Sequence, residues 1–296
     1  MKSKVVIGLW PLSGDFGDIT TSQFEETTNY IIDSGIKSFD VAPNYGHGFA
    51  EKSLGEIYQG KEDLVINTKF GNSVNGEKEF DVSNLRKSLE SSLKRLRVEN
   101  INTLFLHNPR DEIIDYEPIE YLMSDLKKER LINKSAISVA KGYEYKYLPI
   151  FDSVQFDCNL LYLKELKIYK EKFENCYARS PLATGILSGK VTKESTFPEN
   201  DQRSEWLHGV RLKSILKRVD SIKKQANGLN ISTLSRKFLL QNADLDYVIF
   251  GVKNKLQVKD ILIDIETPKI DEGLIESLFK LENKNFGLSG EDTLGF

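Results

Sequence analysis

A chain of 296 residues carries 41 lysines and arginines against 44 aspartates and glutamates, a formal net charge of −3. A balance this even offers no basic field for nucleic acid or an acidic membrane, so neither is an expected partner. Three histidines and two cysteines, Cys158 and Cys176, show neither metal-ligand nor disulfide-framework spacing, so no metal is expected, and a chain of this size buries roughly 75 % of its unfolded surface without such staples.

The amino terminus sets two lysines before a short apolar run, KVVIGLW, but Asp15 soon follows and no small-residue cleavage site appears. It is a first strand rather than an export signal. No run approaches the roughly 18 apolar residues of a spanning helix, so a soluble, cytoplasmic protein is expected. A helix is expected over 21–34. The second strand-like run, IKSFDV, leads into FDVAPNYGHGFAEKSLGEIY, where a Gly-rich turn precedes a helical pattern, and LVINTKF is the third. In VSNLRKSLESSLKRLRV, Leu85, Leu89, Leu93 and Leu96 form one stripe, with Asp81 or Ser83 able to cap its start.

The runs NTLFLH, KSAISVA, DSVQF, ENCYARS and LDYVIFG complete eight, with further helices expected over 118–130, 163–174, 210–227, 232–242, 254–264 and 271–282. Eight strands alternating with helices, with no linker or low-complexity tract, predict one (β/α)8 TIM barrel over residues 1–296. A doubly wound, two-domain chain would want a linker and a G-x-G-x-x-G after its first strand, and both are missing.

In such a barrel, chemistry belongs at the carboxyl ends of the strands and in the loops that follow. Asp40, Lys69 and His107 lie at or near the ends of the second, third and fourth runs, and Tyr45 sits in the loop after the second. Taken singly, each has a bland role: a loop cap, a solvated lysine, a packed phenol, a satisfied buried histidine. Together they form a sensible relay. A carboxylate balances a desolvated ammonium, the ammonium pulls the phenol's pKa down by about 1 to 3 units, and the imidazole bonds a substrate carbonyl oxygen. Proton donation by a phenol so placed contributes about 10²- to 10⁴-fold.

The ordered segments FDVAPNYG with GHGFAEKSLGE, INTKFG, LRKSLESSLKRLRVENINTLFLHNP, RSPLATGILSGK and VIFGVKNKLQVKD resemble the aldo-keto reductase superfamily over nearly the whole chain. The resemblance implies a (β/α)8 barrel that moves hydride between NADPH and a carbonyl or alcohol. It places the proton-donating tyrosine on Tyr45, the lysine on Lys69, the aspartate on Asp40 and the carbonyl-orienting histidine on His107. It also implies that Gly251, Lys253, Asn254, Gln257 and Asp260 hold the adenosine end of NADP, with Lys253 favouring NADPH over NADH. A helix start after a glycine is a natural phosphate site in any case. Ile261 stands where an adenine-contacting asparagine is usual.

At the nicotinamide end, Gln155 matches a carboxamide ligand and Asn159 fits the pattern, while Ala140 and Lys141 replace two hydrogen-bonding side chains and Cys158 replaces a common tyrosine. Arg179 takes the place of a stacking tyrosine, and a guanidinium plane can stack on a ring too. The resemblance assigns Ser180, Leu182, Gly185 and Leu187 to cofactor contact, with Lys190 and Arg203 from a polar stretch near 188–208 that folds over the dinucleotide.

Trp10, Phe70, Asn108 and the tail near 283–296 are expected to line a substrate mouth suited to a small carbonyl compound, an aldehyde, ketone or sugar derivative. His208 is expected on the surface, and His47 within reach of the pocket. Two other readings stand beside the reductase. One is a cofactor-binding barrel with regulatory rather than catalytic use; the other is a lyase or isomerase using Lys69 as a Schiff-base nucleophile. Oligomeric state is open.

Overall fold

The computed structural model describes residues 1–58, 63–199, 201 and 203–290. Eight strands, Val5–Gly8 (β1), Ser38–Asp40 (β2), Val65–Phe70 (β3), Ile101–His107 (β4), Ile132–Ser138 (β5), Ser153–Asp157 (β6), Asn175–Arg179 (β7) and Tyr247–Gly251 (β8), pair in parallel and in chain order. The sheet closes where β8 returns to β1, with Gly8 opposite Gly251. At that seam a Cβ on Gly251 would lie 2.7 Å from Pro11 Cγ, so the close approach requires glycine. This is the (β/α)8 barrel that the eight apolar runs predict.

The helices are Thr21–Asp33 (α1), Phe49–Tyr58 (α2), Val82–Leu96 (α3), Tyr116–Lys128 (α4), Lys164–Tyr169 (α5), Arg203–Trp206 (α6), Gly209–Gln225 (α7), Ile231–Gln241 (α8), Lys255–Glu266 (α9) and Glu272–Asn283 (α10). Thr20 and Gln23 form a reciprocal capping box at α1, and Asp81 caps α3 by accepting from Ser83 N at 2.8 Å. Leu85, Leu89 and Leu96 of the α3 stripe are buried, and Leu93 packs at its edge. Helix α2 crosses α3 so closely at Gly55 that a Cβ there would sit 2.3 Å from Arg95 O. None of these helices is long and apolar enough to cross a membrane.

The alternation fails once: residues 139–152, between β5 and β6, contain no helix. A tyrosine-rich loop makes the crossover instead. The Tyr145 hydroxyl donates to Pro109 O and accepts from Ala140 N, while the Tyr143 hydroxyl accepts from Asp111 N. These bonds tie the crossover to the loop after β4 and satisfy the Ala140 N–H.

Inside the barrel Val6, Phe105, Ala136, Tyr177 and Ile249 make one apolar layer, with Tyr177 edge-on to Phe105 at 5.3 Å between ring centroids. Strand side chains alternate, so the residue two positions on faces the same interior. That step leads from Phe105 to His107, from Ala136 to Ser138 and from Tyr177 to Arg179. A polar layer thus lies above the apolar one, at the mouth formed by the carboxyl ends of the strands.

Candidate active site

Lys69 projects into the mouth from β3, with 1 % of its side chain exposed. Its ammonium donates to Asp40 Oδ1 at 2.5 Å, to Val41 O at 2.9 Å and to the Tyr45 hydroxyl at 3.1 Å. All three N–H groups are used, and the phenol accepts one of them, so the phenol's own O–H points to some other acceptor. The second Asp40 oxygen accepts from Gln155 Nε2 at 2.9 Å, and Gln155 Oε1 accepts from Ser138 Oγ at 2.8 Å. Burial alone would pull the Lys69 pKa down; the Asp40 carboxylate and the phenol outweigh it and hold the ammonium above the ordinary lysine value.

Sequence spacing predicts that Lys69 pulls the Tyr45 phenol down. The net direction is the reverse. Burial is the largest cause and raises the phenol above its usual value, Lys69 opposes it, Asp40 reinforces it, and Arg179 acts downward. Tyr45 is therefore a neutral proton donor throughout the ordinary pH range, with Lys69 limiting how weak an acid it becomes.

His107 ends β4, and its ring stands edge-on to Tyr45 with centroids 6.2 Å apart. Burial, followed by the charges of Lys69, Arg179 and Lys78, holds the imidazole well below the usual histidine pKa, so it is neutral. Asn72 Nδ2 donates to its Nδ1 at 2.9 Å, which leaves the proton on Nε2. A neutral N–H donor and a neutral O–H donor therefore stand side by side.

Arg179 closes the other side of the mouth. Its Nε and one terminal nitrogen bond Asp157 Oδ2 at 3.1 and 2.9 Å, and the remaining N–H groups reach Val139 O, Ser138 Oγ and Asn108 Oδ1. All five donors are committed, which leaves the guanidinium face rather than its edge to a ligand. Asn108, at a left-handed φ of 52°, is fixed by this bond and by its own N–H to Ser138 O. Trp10 stacks on Tyr45 at 5.9 Å, with its indole N–H on Asp15 and Phe16 edge-on to it.

The remaining predicted residues fall into two groups. At the carboxyl end of β8, Asn254 caps α9 by accepting from Gln257 N, and Gln257 Oε1 accepts from Lys253 N. The Lys253 ammonium reaches across to Phe16 O, and Arg203 pairs with Asp201 while its terminal nitrogen approaches Thr184 O. Two cations and a helix amino end form a donor set that fits an anionic dinucleotide. Lys190 and Asp260 are exposed nearby in sequence.

Others do not serve as expected. Phe70 is 2 % exposed and packs edge-on to Phe80, because alternation along β3 turns it away from the face that Lys69 uses. It belongs to the core rather than to a substrate mouth. Leu187 is buried, and its N–H and that of Gly185 both bond Leu182 O, so this turn after Ser180 consumes donors that a cofactor would need. Asn159 likewise spends its amide on Ser180 O. Ala140 sits under Tyr145, and Lys141 lies over the Tyr162 ring at 4.8 Å, while Ile261 is buried in the core. His47 bonds Val74 O on the neighbouring loop, and His208 stands exposed before α7. Residues 291–296 of the expected tail lie outside the described residues. Asn72, Ser138 and Asp157 are site residues that motif spacing misses; the last two are reachable by a two-residue step from Ala136 and Gln155 along their strands.

Comparison with known proteins identifies the family. The sequence profile of the Aldo/keto reductase family matches residues 4–281. An aldo-keto reductase, YhdN, of Bacillus subtilis (strain 168) is 25 % identical over 282 residues, covering 87 % of this chain and 83 % of that protein. L-galactose dehydrogenase of Arabidopsis thaliana is 26 % identical over 280 residues, covering 87 % and 82 %. Among solved structures, a glycerol dehydrogenase from Gluconobacter oxydans superposes with a TM-score of 0.80 at 23 % identity, over 97 % of this chain and 93 % of that one. The holo form of an aldo-keto reductase from Bacillus halodurans gives 0.77 at 20 % identity, over 94 % and 91 %, and at these identities the two structures speak to fold alone. With a family profile spanning nearly its whole length, the chain belongs to the aldo/keto reductase family, as an NAD(P)H-dependent oxidoreductase of small carbonyl compounds.

Proposed function

We propose that this protein reduces an aldehyde or ketone to an alcohol with NADPH, Tyr45 serving as general acid. The nicotinamide cofactor, when bound, supplies the hydride. The chain's own residues manage the proton and the carbonyl oxygen. Tyr45 O–H and His107 Nε2–H donate to that oxygen, and negative charge developing on it draws the phenol proton across. Lys69, three bonds deep in acceptors, steadies the phenolate left behind, and Asp40 steadies Lys69. The observation that carries this reading is the Lys69 ammonium held 3.1 Å from the phenol oxygen with its other donors on Asp40 and Val41.

Lys253 supports NADPH over NADH, as a cation for the 2′-phosphate, Arg203 serves the pyrophosphate common to both, and the polar stretch near 188–208 is the segment proposed to cover them. The two buried thiols, Cys158 and Cys176, are unpaired, which suits the proposed cytoplasmic setting. A polyhydroxylated substrate is favoured. Trp10 offers a ring face for its C–H groups. One relative, named for L-galactose, lies in the same direction.

The test titrates NADPH by protein fluorescence and follows NADPH oxidation on a panel of aldoses, ketoses and aryl aldehydes, for wild type and Tyr45→Phe. The expected result is unchanged binding with turnover lowered about 10²-fold or more in the variant. Full turnover in Tyr45→Phe would overturn the acid assignment. Binding without turnover of any carbonyl would favour a regulatory barrel.

A further inference from the structure

Resting on the reductase reading, we propose that Arg179 is a positioning residue of this active site. Its guanidinium ties together the ends of β4 to β7 and fixes a positive charge beside the Tyr45 and His107 donors. The geometry has two parts. First, Arg179 reaches Asn108 directly after β4, Ser138 and Val139 at the end of β5, and Asp157 on β6, from its own place at the end of β7. Through Ser138, Gln155 and Asp40, an unbroken run of side-chain hydrogen bonds joins it to Lys69. Five N–H groups spent on four residues make it a clamp that a lysine cannot reproduce.

Second, the guanidinium is held through Asn108, the residue directly after His107, and is balanced by carboxylates on its other side. Asp157 is its ion-pair partner at 2.9 Å, and Glu165 of α5 lies behind Asp157, accepting its N–H at 2.9 Å. Burial disfavours the guanidinium cation, but Asp157, Glu165 and Tyr45 outweigh that, so the charge persists. It acts downward on the proton affinity of both Tyr45 and His107. The groups facing Tyr45 are then Asp40 from β2, Lys69 from β3, His107 from β4 and Arg179 from β7; Lys78 also faces His107. Lys69 and Arg179 are each paired with a carboxylate, Asp40 and Asp157, and Arg179 supplies the second, weaker positive contribution at the phenol.

A clamp alone and a clamp with a charge differ in a sign. Removing the cation raises the proton affinity of its neighbours, whereas removing its carboxylate partner lowers it. The experiment compares Arg179→Met, Arg179→Lys and Asp157→Asn by the pH profile of carbonyl reduction and alcohol oxidation, and by NMR titration of the histidine imidazoles, of which the chain has three. Arg179→Met is expected to move the alkaline limb, set by Tyr45, upward, which slows alcohol oxidation at a pH below the limb. Asp157→Asn is expected to move that limb down. Arg179→Lys keeps the limb in place but loses turnover, because the fork is gone.

His107 titration is expected to rise in Arg179→Met, and this is read without any turnover. Absence of carbonyl reduction in the wild type would therefore sink the reductase reading while leaving the charge testable. If Arg179→Met and Asp157→Asn move the limb the same way, or if His107 titrates unchanged in Arg179→Met, the proposal is wrong. Should Arg179→Met fail to fold, the opposed behaviour of Arg179→Lys and Asp157→Asn still decides it.

Discussion

Replacing Lys69 with methionine keeps most of the side chain's volume and removes its charge. The ammonium is 1 % exposed and its Asp40 partner 5 % exposed. After the substitution the Asp40 carboxylate stays buried with one remaining side-chain donor, Gln155. Breaking a buried pair from one side costs about 3–5 kcal/mol, because the other charge is left without compensation. At roughly 2 °C of melting temperature per kcal/mol for a chain of this length, that is a fall of about 6–10 °C. The double variant Lys69→Met/Asp40→Asn removes both charges and keeps an oxygen to accept from Gln155, so it is expected to recover more than half of the loss. Urea unfolding followed by tryptophan fluorescence measures both differences. The phenol loses its counterweight to burial in either variant, so Tyr45 becomes a still weaker acid and alcohol oxidation falls even where the fold is restored. A single variant within about 1 kcal/mol of wild type, or a double variant less stable than the single, would refute the account of Asp40 and Lys69 as a mutually dependent buried pair.

Stability should also depend on His107. Its folded pKa lies well below the usual 6.5, so below that pH the unfolded chain binds a proton that the folded chain refuses. The contribution is fully present above about pH 6.5 and is lost as pH falls, at about 1.4 kcal/mol per unit until the folded pKa is reached. Denaturant unfolding of wild type and His107→Gln between pH 5 and 7 should show that slope in the difference, and parallel curves would exclude it. Lys253→Ala is expected to weaken NADPH binding roughly 10- to 100-fold, the loss of one charge-assisted contact, with NADH little changed. Equal weakening of both, measured by fluorescence titration, would place Lys253 away from the 2′-phosphate. In Gly55→Ala, helix propensity favours the variant by about 1 kcal/mol, but the new methyl would lie 2.3 Å from Arg95 O. Overpacking at a helix crossing costs about 1–3 kcal/mol, so thermal unfolding should show a net loss, and a gain would mean that α2 and α3 move apart freely.

Asp40, Tyr45, Lys69 and His107 were legible because a parallel barrel turns position along the chain into position in space. A side chain near the carboxyl end of a strand-like run is at the mouth if it faces the barrel interior. The same rule, carried one step further, distinguishes the residues that were missed from those that were misplaced. Ser138 and Asp157 stand two positions beyond Ala136 and Gln155, so the period of two already puts them in the polar layer. Phe70 stands one position beyond Lys69, and that single step puts it outside. Asn72 is different: it lies in the loop after β3, where no period runs, and only the folded loop shows that it reaches His107 Nδ1. No helix is expected between the fifth and sixth runs and none forms, but how the crossover is held shares the origin of Asn72, since tyrosine hydroxyls bonding to Pro109 and Asp111 are long-range partners with no local signature.

The direction of the Tyr45 shift was lost for a further reason. Sequence names the charges around a phenol but not its depth, and depth supplies the largest cause here. A shallow phenol beside Lys69 would be a stronger acid than usual; the same phenol 7 % exposed is a weaker one. That reversal gives the cation on β7 its importance. Lys69, 3.1 Å from the phenol, opposes that burial most, and Arg179, across the barrel and paired with Asp157, adds a smaller pull in the same direction. A neutral side chain there would leave the phenol more firmly protonated, serving reduction but hindering the reverse oxidation. The chemistry at position 45 is in this way set first by burial and by the lysine beside it, with a smaller contribution from the opposite side of the barrel.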